Sequence, residues 1–473
     1  MDNSSFRKYG HKVVDWMADY LEEIEKYPVK SQVNPGDIIN QLPSTPPVQG
    51  EEFDNLMNDF NKIILPGITH WQHPSFFAYF PANSSKPSVL AEMLTATIAA
   101  QCMVWETSPA AAELEELVLN WLRDIIGLPK YFSGVIHDGA SMATLTSLLT
   151  AREKISQFSI NNKGFVDGNK FTVYCSSQTH SSIEKAVKII GIGRENLRYI
   201  DVDEIYSMDT IDLEKRIKDD IQNSKTPLAV VATIGTTGST AIDPLKKISD
   251  ICKKYNIWLH VDAALAGSAL ILKDLQWMIE GIEDVDTFVF NPHKWLFTNF
   301  DCTAYFVKDV DSLVNTFGIL PEYLKTKTTD VKNYKDWGIQ LGRRFRALKL
   351  WFVIRTYGID GLREKIRLHL QLAQKVKNLI EGSNNFELLA PVPLNTLCFR
   401  YFDPKHTLDE LNSINDKLMQ NCNKTGRAYF THTKLDGKYT IRMVIGQTEV
   451  EEKHVISAWN LLNEELNKLL SEK

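Results

Sequence analysis

The 473-residue chain has no cysteine pair spaced for a metal or a redox motif: Cys102, Cys175, Cys252, Cys302, Cys398 and Cys422 stand apart, without any C-x-x-C. That scatter argues against a zinc module and a disulfide framework and suits reduced thiols in a cytosolic compartment, so no metal is expected. No uninterrupted apolar run reaches the length of a membrane-spanning helix. The opening residues Met1-Asp2-Asn3-Ser4-Ser5 also lack the basic and then apolar stretch of a secretion signal. The expectation is a soluble, cytoplasmic protein with no membrane partner. Neither sign of charge accumulates, since 53 basic against 59 acidic side chains leave a formal charge of -6 without a long single-sign block. That argues against nucleic acid as a partner. Gly191-Ile192-Gly193 lacks the rest of a dinucleotide fingerprint, no Gly-rich loop is followed by a phosphate-binding lysine, and there is no internal repeat or low-complexity tract.

What is present is a chain too long for a single hydrophobic core, with three textures along it. Phe6, Tyr9, Val13, Trp16, Met17, Tyr20, Leu21 and Ile24 recur at three- and four-residue steps, which predicts an amphipathic helix ending near Tyr27-Pro28. The mixture of Glu22, Glu23 and Glu25 with lysines on its polar face disfavours an anionic membrane surface, leaving a partner subunit or the chain's own body to cover the stripe. Pro43-Ser44-Thr45-Pro46-Pro47 reads as a linker. Apolar, β-branched runs then alternate with helical ones: Thr172–Cys175, Leu228–Ala232, Ile257–Val261, Thr287–Phe290 and Thr303–Val307. Such alternation predicts an α/β fold with a mostly parallel sheet wrapped by helices, whose ligands bind beyond the strand carboxyl ends. In the last part, Asp436-Gly437 signals a hairpin and Thr448 with Glu451 a capping box opening the final helix. The expected division is a helical segment at 1–84, a large α/β domain at 85–346 and a small α/β domain at 347–473.

The chemistry is carried first by Asn291-Pro292-His293-Lys294-Trp295, directly after the apolar run Thr287–Phe290. A lysine held at a buried strand edge by a Pro-stiffened corner has a lowered pKa and becomes a nucleophile toward carbonyls. About one strand-helix-strand unit upstream, His260-Val261-Asp262-Ala263-Ala264 ends a second apolar strand in a carboxylate. A lysine for an aldehyde and a carboxylate for a pyridinium nitrogen are what a pyridoxal phosphate enzyme requires. Asp138-Gly139-Ala140-Ser141 precedes a helical stretch, so Ala140 and Ser141 can offer backbone and hydroxyl donors to a phosphate at a helix N-terminus, a pattern that taken alone is also that of an ordinary N-cap.

Together with Ser177-Gln178-Thr179-His180-Ser181-Ser182, these motifs resemble those of the pyridoxal-dependent group II decarboxylases, and nearly the whole chain resembles their aromatic L-amino acid decarboxylase branch. The resemblance implies a fold-type I α/β architecture with a seven-stranded sheet, pyridoxal phosphate as cofactor, and a homodimer sharing its active sites. It makes Lys294 the aldehyde partner, Asp262 the partner of the ring nitrogen, and His180 a ring that stacks on the cofactor and helps deliver a proton. Thr237, Ala264, Asn291 and His293 become further cofactor contacts. Tyr323, introducing the polar stretch Lys325–Asp330, becomes a lid tyrosine that protonates the product carbon. Relatives with phenylalanine there, or without the histidine, make an aldehyde instead, so an aromatic acetaldehyde synthase is the alternative. Trp71, Tyr79, Phe80 and Pro81 are expected on the substrate side, with Met103 across the dimer interface. Gly342 matches the aromatic branch, where histidine-selective relatives tend to carry serine. Leu265, Ala82 and Met103 depart from close relatives and should soften the pocket. Met142 departs at the phosphate loop.

Overall fold

Eleven strands are described in the computed structural model, which covers residues 1–166, 170–319 and 331–471. They are β1 (Ser133–His137), β2 (Phe171–Ser176), β3 (Leu197–Ile200), β4 (Thr226–Thr233), β5 (Trp258–Asp262), β6 (Thr287–Phe290), β7 (Thr303–Val307), β8 (Phe386–Leu388), β9 (Thr396–Tyr401), β10 (Thr431–Leu435) and β11 (Lys438–Val444). The first seven form one sheet in the order β1-β7-β6-β5-β4-β2-β3, in which β3, β2, β4, β5 and β6 run parallel and β7 runs antiparallel to both neighbours. Every residue of β2, β5, β6 and β7 is buried, as expected when helices cover both faces of a sheet. The expected α/β fold with its seven-stranded, mostly parallel sheet is what the chain forms.

By contacts the chain separates into two compact units, one of residues 82–371 with 390–396, the other of residues 1–81, 372–389 and 397–473. The first holds the seven-stranded sheet. In the second, β10-β11-β9-β8 make a small sheet, and residues 1–81 group with the C-terminal part. The helix Arg346–Glu381 is bent at Gly358, whose backbone at φ 64 is non-helical.

Within the second unit, Asp2 caps the helix Asn3–Glu22 by accepting from the Ser5 N–H at 2.7 Å. The helix stops at Glu22, short of Tyr27-Pro28, and a 3-10 turn over Ile24–Lys26 follows, which buries Ile24. No residue of Asn3–Glu22 is fully buried, and Phe6 stays 64% exposed, although Tyr9 meets Phe53 and Trp16 meets Phe60. The predicted hairpin is present: Asp436 and Gly437 take φ 49 and φ 76 between β10 and β11, the positive angles of a two-residue primed turn. The final helix is Glu452–Ser471, beginning past Thr448, so the expected capping box is not its start. Its entry instead uses the His454 ring, whose Nδ1 accepts from the Glu451 N–H at 2.9 Å. No described helix is long and apolar enough to cross a membrane, and all six cysteines are free and buried.

Candidate active site

Strand order decides which side chains meet. Thr233 at the end of β4 lies opposite Asp262 at the end of β5, Asp262 lies opposite Val289 in β6, and β6 leads within two residues into Asn291. Two motifs separated by a whole helix-and-strand unit therefore finish at one sheet edge. Pro292 then opens the short helix Pro292–Trp295 at a position where its missing N–H costs no hydrogen bond.

Lys294 is partly buried on this turn. Its backbone N–H donates to the Asn291 carbonyl at 2.9 Å, and its carbonyl accepts from Asn83 Nδ2 at 2.8 Å. Burial pushes its ammonium below the usual lysine range, and the Asp262 carboxylate opposes that shift. An amine in such surroundings spends more time uncharged and nucleophilic. Asp262 is 5% exposed, and its Oδ1 accepts from the Ala264 N–H at 3.0 Å, which fixes the carboxylate against its own turn.

The His180 ring stands exposed at the same edge. Its Nδ1 lies 2.9 Å from Ser182 Oγ and accepts from the Ser182 N–H at 3.2 Å, so the neutral ring carries its proton on Nε2. Partial burial of the imidazole pushes its pKa below the usual histidine range, with Asp262 raising it and Lys294 lowering it. Thr179 next to it touches Thr233, hydroxyl to hydroxyl, at 3.3 Å. His293, in contrast, is buried, with Nδ1 accepting from the Cys302 N–H at 2.9 Å, and burial holds its pKa at about 3. Asn291 Oδ1 accepts from the Thr303 hydroxyl at 2.7 Å.

The helix Ala140–Ile155 begins at this edge after β1, and no side chain caps it. The N–H groups of Met142 and Ala143 turn back to the Gly139 carbonyl, and Ser141 is exposed. Met142 packs on the buried cluster that includes Leu145 and Leu148, so its apolar character serves the core. Thr237 is exposed on a loop returning from β4, where Gly235 has φ 84 and a Cβ would meet the Ala266 Cβ at 3.0 Å. That approach is why the loop needs a glycine there.

The substrate-side candidates divide between the two units. In the N- and C-terminal unit the aromatic cluster splits into core and surface. Phe76 and Phe77 have no exposure and pack on Tyr429 and Phe430, whereas Trp71 is 37% and Tyr79 49% exposed, stacked 5.8 Å apart. Phe80 receives the Arg442 guanidinium at 5.5 Å from its ring centre, and Pro81 is buried. In the sheet unit, Ala82 and Met103 are half-buried and Gly342 is exposed. A side chain at Gly342 would stand 3.4 Å from Gln101, an ordinary contact, so packing does not demand glycine there. Leu265 has no exposed surface. Tyr323 and the stretch after it lie outside the described residues.

Two residues without any motif of their own join the site. Asn83, fully buried, holds the lysine turn from both sides of the peptide chain, its N–H donating to the His293 carbonyl at 3.0 Å. Asp243, 1% exposed, accepts from the Thr233 N–H at 2.7 Å. Nothing in the local sequence separates either from an ordinary turn residue; only the returning chain reveals them.

Three buried histidines of the sheet unit give a pH prediction. Burial depresses His137 to about 3, His260 to about 4 and His293 to about 3. The unfolded chain titrates them near the ordinary value of about 6.5, so the stability they confer is present above that pH and is lost as pH falls toward their folded values. The expected result is a thermal midpoint that drops steadily from pH 6.5 to pH 4, worth roughly 2–3 kcal/mol per histidine at the acid end. His260→Gln should flatten that slope; a midpoint indifferent to pH over this window would count against the assignment.

Residues 35–402 match the family model described as the pyridoxal-dependent decarboxylase conserved domain. The chain is 40% identical to a tyrosine decarboxylase of Papaver somniferum, over 99% of this chain and 96% of that one. It is 42% identical to a phenylacetaldehyde synthase of Arabidopsis thaliana, over 99% and 97%. Among solved structures, the Oryza sativa TDC crystallised with PLP and tryptamine superposes with a TM-score of 0.96 at 35% identity, covering 99% of both chains.

Proposed function

This chain belongs to the pyridoxal-dependent decarboxylase family, and we propose that it converts an aromatic L-amino acid into the corresponding arylalkylamine and carbon dioxide. The observation that carries the reading is the meeting of Lys294 and Asp262 at one sheet edge, each drawn from a different strand end. The residues present fit pyridoxal phosphate: a lysine amine weakened as a base by burial, a buried carboxylate, an exposed imidazole and an uncapped helix start. When bound, the cofactor supplies a ring that accepts the electron pair released as the carboxyl group leaves.

The chain's own residues then have separate tasks. Asp262 would keep a proton on the ring nitrogen, and Lys294 would hold the aldehyde group. Ala140 and Ser141 bind phosphate at the helix start. Thr237, Ala264, Asn291 and His293 fix the ring's orientation. His180 would lie against the ring and, with its proton on Nε2, could donate that proton toward the product carbon. Trp71, Tyr79, Phe80 and Pro81 offer aromatic surface suited to an aromatic substrate, and Ala82, Met103, Leu265 and Gly342 are the further candidate substrate contacts. The unburied stripe on Asn3–Glu22 supports a homodimer, and six free thiols support a cytoplasmic setting.

The likeness to a phenylacetaldehyde synthase favours one further reading, an enzyme that yields an aldehyde from the same substrate. Tyr323 and His180, both present, support the amine. Purified protein with pyridoxal phosphate and Tyr, Trp, Phe or dihydroxyphenylalanine should release carbon dioxide and amine in equal amounts. In air, Tyr323→Phe should turn most of the product into aldehyde, consuming dioxygen and water and releasing carbon dioxide, ammonia and hydrogen peroxide. Aldehyde from the wild-type protein would establish the other reading, and an unchanged product in the variant would remove Tyr323 from proton delivery.

A further inference from the structure

Asp243 sits where three segments of the sheet unit are tied together. Its Oδ2 accepts from the Thr233 N–H at 2.7 Å, its Oδ1 accepts from the Met208 N–H at 2.9 Å, and its own N–H returns to the Thr233 carbonyl at 3.0 Å. Between these points the chain makes a tight excursion: Ile234 bridges Ile242, and the N–H groups of Gly235 and Thr236 both donate to the Ala241 carbonyl at 3.0 Å. Thr237 is at its tip. The strand end that Asp243 grips also faces both neighbours in the candidate site. Thr233 lies opposite Asp262, the next N–H, of Ile234, donates to the Asp262 carbonyl at 2.9 Å, and the Thr233 hydroxyl meets Thr179 beside His180.

We propose that Asp243 is a positioning residue for the cofactor edge, its carboxylate setting the height of the Thr237 loop and the registry of the strand end shared by Asp262 and Thr179. The inference rests on the proposed reading of that edge as a pyridoxal phosphate site. A carboxylate suits this task because one group accepts from two main-chain donors on different segments, and a buried acceptor pair cannot slide without stranding both N–H groups. Burial raises the Asp243 carboxyl to about 7, against the pull of the Thr233 and Met208 donors, so the group is held there by backbone and at a cost. Such a cost is tolerated where geometry matters.

The test is made on the cofactor-loaded protein. Asp243→Asn keeps the shape but turns one acceptor into a donor facing an N–H. It should raise the apparent dissociation constant for pyridoxal phosphate at least tenfold and change the visible circular dichroism of the bound cofactor. Ser207→Ala is the comparison, since the Ser207 hydroxyl donates to the Ile242 carbonyl at 2.8 Å in the same loop without touching Thr233. It should lower the melting temperature and leave both cofactor readouts alone. An Asp243→Asn protein that loses melting temperature only, with the dissociation constant and dichroism of the wild type, overturns the role. Should that variant not fold, hydrogen exchange on the wild type decides: amides of Met208 and of Thr233 to Asp243 must slow together when pyridoxal phosphate is added. Slowing of the loop without Met208 overturns the coupling. Wild-type protein that takes up no pyridoxal phosphate overturns the reading of the site itself, an outcome separate from these.

Discussion

Asp262→Asn is expected to lower turnover by roughly two to four orders of magnitude while leaving the sheet folded. The variant is close to isosteric, and its amide oxygen can still accept from the Ala264 N–H, the one bond the carboxylate makes to its own turn. What disappears is the charge. Removing one partner of a buried ion pair costs about 3–5 kcal/mol, and each 1.36 kcal/mol is a factor of ten in rate. Two consequences should appear together. The ring nitrogen loses the group that keeps its proton, so the cofactor dissociates more readily and accepts electrons less well. Lys294 and His180 both lose the neighbour that raises their pKa, so each moves further below its ordinary range. Steady-state turnover at saturating cofactor separates the first loss from weakened binding, and a pH profile of the loaded protein reports the second. Near-normal turnover with unchanged cofactor retention would mean that the ring does not lie against this carboxylate.

The strands of the large sheet were legible because burial on both faces leaves continuous apolar runs. Thr287–Phe290 and Thr303–Val307 agree with β6 and β7, and the run at Thr172–Cys175 lies inside β2. The motifs beyond the strand ends were legible for a related reason, since parallel strands must deliver their carboxyl ends to one edge. Tertiary packing set what was missed. The first helix stops early because the chain turns to bury Ile24, and the last begins late, with the His454 ring accepting from the Glu451 N–H that the Thr448 side chain was expected to cap. Asn83 and Asp243 act through hydrogen bonds to chain 211 and 35 residues away, a distance no local pattern encodes. The aromatic segment at 71–81 looked uniform in sequence but divides into the core pair Phe76 and Phe77 and the surface pair Trp71 and Tyr79.

Lys294→Ala should abolish turnover to below about one part in a thousand, because neither imidazole beside it can substitute for the amine. His293 is held with its Nδ1 on the Cys302 N–H and stays neutral, and His180 Nδ1 is engaged with Ser182, so neither ring offers a primary amine for the aldehyde. The fold should survive. The bonds that shape the turn run through the backbone, from the Lys294 N–H to Asn291 and from Asn83 to the Lys294 carbonyl, and both persist without the side chain. Losing a side chain whose charged form is already disfavoured by burial also relieves a desolvation penalty, so the melting temperature of the cofactor-free protein should hold or rise. Borohydride treatment of the loaded wild type followed by peptide mass analysis should place a pyridoxyl group on the peptide containing Lys294, and the alanine variant should carry none. A small primary amine added to Lys294→Ala should recover part of the activity, since the cavity left beside Asp262 supplies the position and the solute supplies the nitrogen. A label on any other lysine of the wild type, or an alanine variant that still turns over within tenfold of it, would move the reaction away from this sheet edge.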